Sequence, residues 1–237
     1  MGTISTRVAE ARPAGSGARH YSGVSRLFIE LSCGNVLCRD TNLEPGQVRI
    51  VWRITRNGES LNGDSDAIEI RDSLDEGRLR IWDHHLRKWR NGNPDIDMRI
   101  QVHPQISVAA SLGSGEVELD VPLIAGASLG SGGLQLNGRL FEHANAQLGS
   151  GRLTGEVEVR DGEHRLAVGT GEIHLFLAES SSCTVRASVG VGAIEAEGIK
   201  VRRDLRPLGG TVRGRLGVGD GALSLDVGTG NIHLEAE

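Results

Sequence analysis

An aromatic and basic segment, residues 81–93 (IWDHHLRKWRNGN), has residue types suited to binding an anion. Its arginine and lysine side chains supply positive charge, and its indole rings offer flat faces for stacking and for cation–π contacts. A nucleic-acid strand, a lipid head group or an acidic protein would each suit such a patch. The alternative is a loop whose tryptophans cover the core while its charged side chains face water. The candidate partner-binding residues of this segment are Trp82, His84, His85, Arg87, Lys88, Trp89 and Arg90.

A second basic segment covers residues 199–215 (IKVRRDLRPLGGTVRGR). It coincides with a place where the internal repeat of the chain is lost, and insertions in repeat proteins often line a binding face. The segment predicts contacts to an anionic ligand or an acidic partner, with Arg202, Arg203 and Arg206 as the candidate residues. The alternative is a solvated loop, which Asp204 and the acidic net charge of the chain favour.

Residue spacings typical of catalytic or metal sites are missing from the sequence. The eight histidines are scattered, and no serine stands in a GxSxG context at a strand-to-helix turn. Cys33, Cys38 and Cys183 form an odd set without metal-ligand spacing, which is typical of a reducing compartment. His174 and His233 share one outward repeat position. This is more simply explained as ordinary exposure on a β-sheet surface than as a binding or catalytic site. The sequence therefore predicts no enzyme activity, no cofactor and no metal.

The composition excludes several classes of function. The chain holds 34 glycines and only 7 aromatic residues (3 Phe, 3 Trp and 1 Tyr), so its core must be built from Leu, Ile, Val and Ala. A net charge of −5 argues against a general nucleic-acid binder, which needs a basic face. A glycan-acting enzyme would need paired carboxylates beside aromatic sugar platforms, and few aromatic residues are present.

The elements that must position these side chains come from an internal repeat. A pattern of aliphatic, Gly, any, Gly, any, aliphatic recurs about every 19 residues, and each copy continues as a strand-like run. A helix does not follow any GxG, so the glycines are corner residues of the backbone and not a dinucleotide fingerprint. The first glycines of the copies are Gly113, Gly130, Gly149, Gly169, Gly190, Gly219 and Gly228.

Aliphatic residues hold the same places in every copy, and they alternate with polar ones. This period of two predicts strands with one buried face. Because one turn type recurs with one inward pattern, the repeat predicts a parallel β-solenoid with coils of about 19 residues. A β-sandwich of Gly-rich hairpins is the alternative. The inward positions after the GxG are Val117, Leu134, Leu153, Ile173, Ile194, Leu223 and Ile232, and those before it include Leu112, Val189 and Val218.

Three sections of the chain differ in pattern. Residues 1–25 are predicted to be a flexible polar lead-in, and residues 26–104 an irregular β section or a cap of the solenoid. Residues 105–237 hold the regular repeats. The lead-in lacks an apolar signal region, which predicts a cytoplasmic protein, or a cell-surface protein if the N-terminus has been trimmed.

The last coil lacks an evident cap. An open coil exposes unpaired backbone groups, so the sequence predicts end-to-end association of copies through Ile232 and Leu234.

The start of the repeats resembles a bacterial putative-adhesin family of unknown function with Gly-rich β-strand repeats. The stretch MRIQVHP, an aliphatic strand and LGSGEVELD carry this resemblance, which extends over residues 25–237. It implies a repetitive β fold; the adhesive role in the family name rests on analogy of fold. The matching residues are Ile100, Val102, Pro104, Val108, Gly113, Gly115, Val117 and Leu119.

Two functions follow as hypotheses. The first is a structural or interaction protein that associates with itself or presents a flat β face to a partner protein. The second is a ligand-binding module for an anionic partner, which uses residues 81–93 and 199–215.

Overall fold

The computed structural model describes residues 15–56, 59–60, 68–85, 94–206 and 208–236. Every regular element among these residues is a β-strand, so the all-β class predicted from the sequence is confirmed. The aromatic and basic segment is a strand as far as His85, and the rest of that segment lies outside the described residues.

The chain forms two compact units, Met1–Pro122 and Leu123–Glu237. The predicted division after residues 25 and 104 stays a prediction. The strands of the first unit are β1 (Ser16–Tyr21), β2 (Arg26–Asp40), β3 (Val48–Arg56), β4 (Glu59–Ser60), β5 (Ile68–Asp75), β6 (Arg78–His85), β7 (Asp95–Val102) and the start of β8 (Ser107–Glu158).

Strand β2 is the centre of the first unit. It runs parallel to β8 along one side, while β6 and then β7 run parallel to it along the other. Leu27 of β2 lies between Leu79 of β6 and Val108 of β8, and all three side chains are fully buried. Alternate residues of these strands point into one aliphatic core, as the period of two in the sequence predicts.

Antiparallel strands complete the first unit. Strand β3 pairs with β7, β1 pairs with β3, and β5 pairs with β6. Arg19 of β1 forms a largely buried ion pair with Asp72 of β5, and its guanidinium carbon lies 5.0 Å from the ring centroid of Trp52 on β3. These contacts hold the β5–β6 hairpin against the β1–β3 pair.

The second unit continues β8 and adds six strands. In hydrogen-bonded order they run β8, β9, β14, β10, β13 and β12, with β11 also beside β14. Their bounds are β9 (Glu163–Leu177), β10 (Cys183–Val191), β11 (Ile194–Glu197), β12 (Val201–Arg206), β13 (Gly209–Leu216) and β14 (Gly221–Ala236).

The sheet of the second unit is mixed. Strands β8, β9, β14 and β10 are parallel and in register, whereas β13 and β12 are antiparallel to their neighbours. A wholly parallel arrangement is therefore not observed in the described residues. The segment without the GxG pattern forms the hairpin of β12 and β13. Strand β13 pairs with the edge of β10 that a further parallel strand would otherwise occupy.

The second glycines of the repeated GxG pattern lie at corners of neighbouring parallel strands. Gly151, Gly171 and Gly230 have φ angles of +133°, +139° and +136°, a region that side chains rarely adopt. They also pack against one another, since a Cβ on Gly171 would lie 1.8 Å from the carbonyl oxygen of Gly151. The inward aliphatic residues after the GxG are buried in every copy.

The prediction is wrong for one copy of the repeat, the one that begins at Val218. The pattern predicts that Val218 points inward before Gly219, but its side chain is 74% exposed and the segment is a turn between β13 and β14. Gly219 has a left-handed φ of +82°, as in an ordinary turn. The VGDG sequence has the residue types of a corner, but it lies in a turn and not at a corner between parallel strands.

The order of the repeat strands in the sheet differs from their order in the sequence. The final strand, β14, lies between β9 and β10 and is hydrogen-bonded on both sides. Ile232 and Leu234 are 0% and 1% exposed, so the expectation of an open last coil with these side chains at a self-association surface is wrong. They belong to the core because β14 is inserted into the parallel ladder and does not end it.

Candidate functional site

Three arginines line up across one face of the second unit. Arg186 of β10 is paired in register with Arg213 of β13, which is paired with Arg202 of β12. All three side chains are exposed. We call Arg186, Arg213 and Arg202 the arginine row.

Local alternation places these side chains outward. Val185 and Ala187, the neighbours of Arg186, are buried, and so is Val212, the neighbour of Arg213. Because adjacent strands lie about 4.8 Å apart, the three guanidinium groups start from backbone positions that span only about 10 Å. Like charges directly opposite each other on a sheet destabilise it.

The arginine row has no acidic partner in the described part of the chain. No ion pair joins these guanidinium groups to a carboxylate there, whereas Arg165 on the same ladder binds Asp226 at 2.9 Å. Arg215, opposite Thr184, lies two residues beyond Arg213 and is also exposed. The face is therefore a concentration of positive charge on a chain whose net charge is negative.

The basic segment 199–215 thus becomes a structured hairpin and not a loop. Arg203 is exposed on β12, and Asp204 lies opposite Thr211 at the flank of the arginine row. The backbone of Arg206 pairs with Gly209, and its side chain lies outside the described part. Sequence reasoning missed Arg186, because only the antiparallel pairing of β13 with β10 brings it beside Arg213.

The segment 81–93 lies in the first unit and is described as far as His85. Trp82 is half-buried, with the guanidinium carbon of Arg80 5.4 Å from its ring centroid. His85 Nε2 lies 2.6 Å from the Asp83 carboxylate, and His84 is half-buried. The predicted residues Arg87, Lys88, Trp89 and Arg90 lie outside the described residues.

Two histidines and a glutamate meet on the outer face of β9 and β14. Glu235 Oε1 lies 3.1 Å from His174 Nε2 and 2.7 Å from His233 Nε2. Glu195 of β11 lies 3.0 Å from His233 Nδ1. The hydrogen bond to Glu195, followed by that to Glu235, raises the pKa of His233, while the bonds from His174 and His233 lower the pKa of Glu235. We call His174, His233 and Glu235 the histidine–glutamate cluster.

The cysteines do not form a reactive site in the described residues. Cys33, Cys38 and Cys183 are free thiols and all are buried. Burial raises the pKa of Cys183 to about 11, and it also raises the pKa of Cys38. A thiolate is the nucleophilic form of cysteine, so none of these groups is activated for chemistry.

No helix in the described residues has the length and apolar character needed to cross a membrane. No protein-family model matches the chain, and no curated protein matches it.

Solved structures with a similar chain trace exist. A putative cell adhesion protein from Clostridium sporogenes matches with a TM-score of 0.51 and 13% identity, over 98% of this chain and 100% of that one. A putative adhesin from Bacteroides fragilis matches with a TM-score of 0.35 and 13% identity, over 92% and 96% of the two chains. A putative lipid binding protein from Parabacteroides distasonis matches with a TM-score of 0.40 and 13% identity, over 94% and 97%. The Clostridium likeness shows a shared fold.

Proposed function

We propose that this chain is a non-enzymatic interaction protein, which binds an anionic partner on the flat face that carries the arginine row. The observation behind the proposal is the in-register placement of Arg186, Arg213 and Arg202 without an acidic partner in the described residues. The protein of shared fold is named a putative cell adhesion protein, and membership of an adhesin-like family is part of the proposal.

Arginine suits this role because of its geometry. A planar guanidinium binds carboxylate, phosphate or sulfate groups in a bidentate manner, and it holds its charge at every physiological pH. Three guanidinium groups at the spacing of adjacent strands match a partner with closely spaced anionic groups. Such a partner would also relieve the repulsion among the three arginines.

The sheet below supplies a rigid support. Val185, Ala187 and Val212 anchor β10 and β13 in the aliphatic core, so the arginines need little reordering of the backbone on binding. The charged edge strand β12 also disfavours edge-to-edge pairing with another copy. The face is therefore better suited to an acidic partner than to self-association.

The test uses two defined polyanions, poly-glutamate for carboxylates and heparin for sulfates. A variant with Arg186→Gln, Arg213→Gln and Arg202→Gln is expected to bind at least one of them more than about 10-fold more weakly than the unaltered chain. The matched control changes Arg39, Arg80 and Arg152 to Gln; these side chains already pair with glutamates.

The control carries the same net charge and is expected to weaken binding less than about 3-fold, since the charge of each of these arginines already faces a glutamate and none of them belongs to the arginine row. Equal weakening in the two variants would mean that only net charge matters and would overturn the proposal. A chain that binds neither polymer at low salt would also overturn it. Loss of binding to one polymer alone identifies the anionic group that the face prefers.

A further inference from the structure

The three side chains of the histidine–glutamate cluster converge on one point of the sheet surface, an arrangement that their two ion pairs alone do not require. His174 of β9 and His233 of β14 are paired in register, and their ring centroids lie 4.5 Å apart at an interplanar angle of 80°. Glu235 lies two residues beyond His233 and so projects from the same face of the strand. One ligand atom from each of the three side chains lies within 4.8 Å of the others.

The cluster offers the kinds of ligand atom that a borderline metal ion prefers. Two imidazole nitrogens and one carboxylate oxygen suit zinc, and three protein ligands with an open fourth position are a common zinc arrangement. Ligand atoms about 2.0–2.1 Å from a zinc ion lie about 3.3 Å from one another in a tetrahedron. The longest separation in the cluster therefore has to shorten by about 1.5 Å at most.

The side chains can make that adjustment. His174 and Glu235 have 56% and 36% of their side-chain surface exposed, so their rotation is not blocked by the core. The backbone below them is fixed, because Ile173, Ile232 and Leu234 are buried on the opposite face of the same strands. The three ligands are thus held at one place on a rigid ladder and keep freedom only at their tips.

Glu195 supplies the outer contact that metal-bound histidines usually have. Its Oε2 lies 3.0 Å from His233 Nδ1, on the side of the ring away from the nitrogen that faces Glu235. A carboxylate that accepts the Nδ1 hydrogen fixes the imidazole tautomer and leaves the Nε2 lone pair for a metal. Glu195 is opposite His233 in the β11–β14 register, so the sheet pairing itself sets this contact.

We propose that His174, His233 and Glu235 bind a zinc ion on this face, with Glu195 as a positioning residue for His233. The fourth coordination position faces solvent, where a water molecule or a side chain of a partner can fill it. The site is independent of the arginine row, and either proposal can fail without the other.

The test is a zinc titration of the full chain after removal of metal with a chelator. Calorimetry and competition with a chromophoric chelator are expected to give one zinc ion per chain. Cobalt in its place is expected to give the visible absorption of a tetrahedral or five-coordinate site with nitrogen and oxygen ligands.

Variants separate the cluster from adventitious binding. His174→Gln, His233→Gln and Glu235→Gln are each expected to weaken zinc binding by about 100-fold, and Glu195→Gln by about 10- to 100-fold. His143→Gln, which removes an exposed histidine elsewhere on the second unit, is the matched control and is expected to bind like the unaltered chain. Far-UV circular dichroism and thermal unfolding with chelator present verify that every variant folds.

Absence of stoichiometric binding in the unaltered chain would overturn the proposal. Equal affinity in His233→Gln and His143→Gln would overturn it as well, because zinc would then bind elsewhere. The triple variant of the arginine row is expected to bind zinc normally, which keeps this outcome distinct from that of the proposed function.

Discussion

Gly171 and Gly230 lie at equivalent corners of neighbouring parallel strands, where a Cβ on Gly230 would come within 1.7 Å of the carbonyl oxygen of Gly171. The same contact recurs between Gly192 and Gly230, at 1.6 Å. Backbone therefore packs on backbone at each corner, and a side chain there would push two neighbouring strands apart. This relationship explains why the GxG pattern persists while the residues around it vary.

Gly230→Ala is expected to destabilise the second unit by about 3 kcal/mol or more, from backbone strain at φ +136° and from the clash with Gly171. Guanidinium unfolding followed by far-UV circular dichroism measures the change. Gly219→Ala is the matched control, because its φ is also positive but its nearest neighbour is the flexible side chain of Arg215. The control is expected to cost about 1–2 kcal/mol. Equal costs would show that stacking at the corner adds nothing to backbone strain.

The insertion of β14 between β9 and β10 predicts different effects at two aliphatic positions that the repeat treats alike. Ile232→Ala is expected to destabilise the chain by about 2–5 kcal/mol, because it leaves a cavity in the core. Val218→Ala is expected to change stability by less than about 0.5 kcal/mol, since Val218 is exposed. Denaturant midpoints measure both. Similar costs at the two positions would contradict the placement of β14.

The sequence allows the corners and the buried face to be predicted because both are local. Alternation of side chains along a strand depends only on neighbouring residues, so Leu153, Ile173 and Ile232 can be placed inward from the pattern alone. The same pattern predicts one shared outward position for His174 and His233, and the register of β9 with β14 confirms it.

The order of the repeat strands in the sheet could not be predicted in the same way. Near-identical copies can pair with one another in several orders, and local residue types do not distinguish β10 from β14 as the neighbour of β9. The arginine row depends on the same long-range choice, because Arg186 meets Arg213 only when β13 returns antiparallel to β10. The contact of Glu195 with His233 and that of Glu235 with His174 depend on the same choice, because β14 lies between β11 and β9. The sequence alone places the two histidines at one outward position but does not bring Glu195 beside them.

The three buried thiols provide a probe of how tightly the core is closed. Burial raises the pKa of Cys183 to about 11, and Cys33 donates its S–H to the carbonyl oxygen of Pro94 at 2.8 Å. None of the three cysteines is expected to react with iodoacetamide at about pH 8 in the folded chain, since little thiolate is present and access is blocked. Mass spectrometry is expected to show three labels after unfolding. Rapid labelling of Cys183 before unfolding would mean that β10 opens readily.

His164 predicts a loss of stability in mild acid. Its side chain is buried in the second unit, where Nδ1 accepts a hydrogen bond from the Ala144 N–H at 3.1 Å and Nε2 lies 2.5 Å from the Asp161 carbonyl oxygen. These bonds fit the neutral ring with its hydrogen on Nε2. Burial lowers the pKa of His164; Asp161 opposes this effect, and the charges of His143 and Arg139 add to it.

The direction of the pH effect follows from the lowered pKa. Above the ordinary histidine pKa of about 6.5, both folded and unfolded chains hold the ring neutral and the full stability is present. As the pH falls below that value, the unfolded chain takes up a proton that the folded chain resists. Stability then falls by at most about 1.4 kcal/mol per pH unit for this group, until the pH reaches its lowered folded pKa.

Denaturant unfolding at about pH 7.5 and about pH 5.5 measures this effect. His164→Asn is expected to be less stable than the unaltered chain at the higher pH but to lose less stability on acidification, because the titrating group is gone. His20→Asn, which removes an exposed histidine of the first unit, is expected to keep the pH dependence of the unaltered chain, because His20 is not among the groups that shift the pKa of His164. If His164→Asn and the unaltered chain lose the same stability over this range, the proton uptake belongs to other groups, and His164 does not limit the stability of the fold in acid.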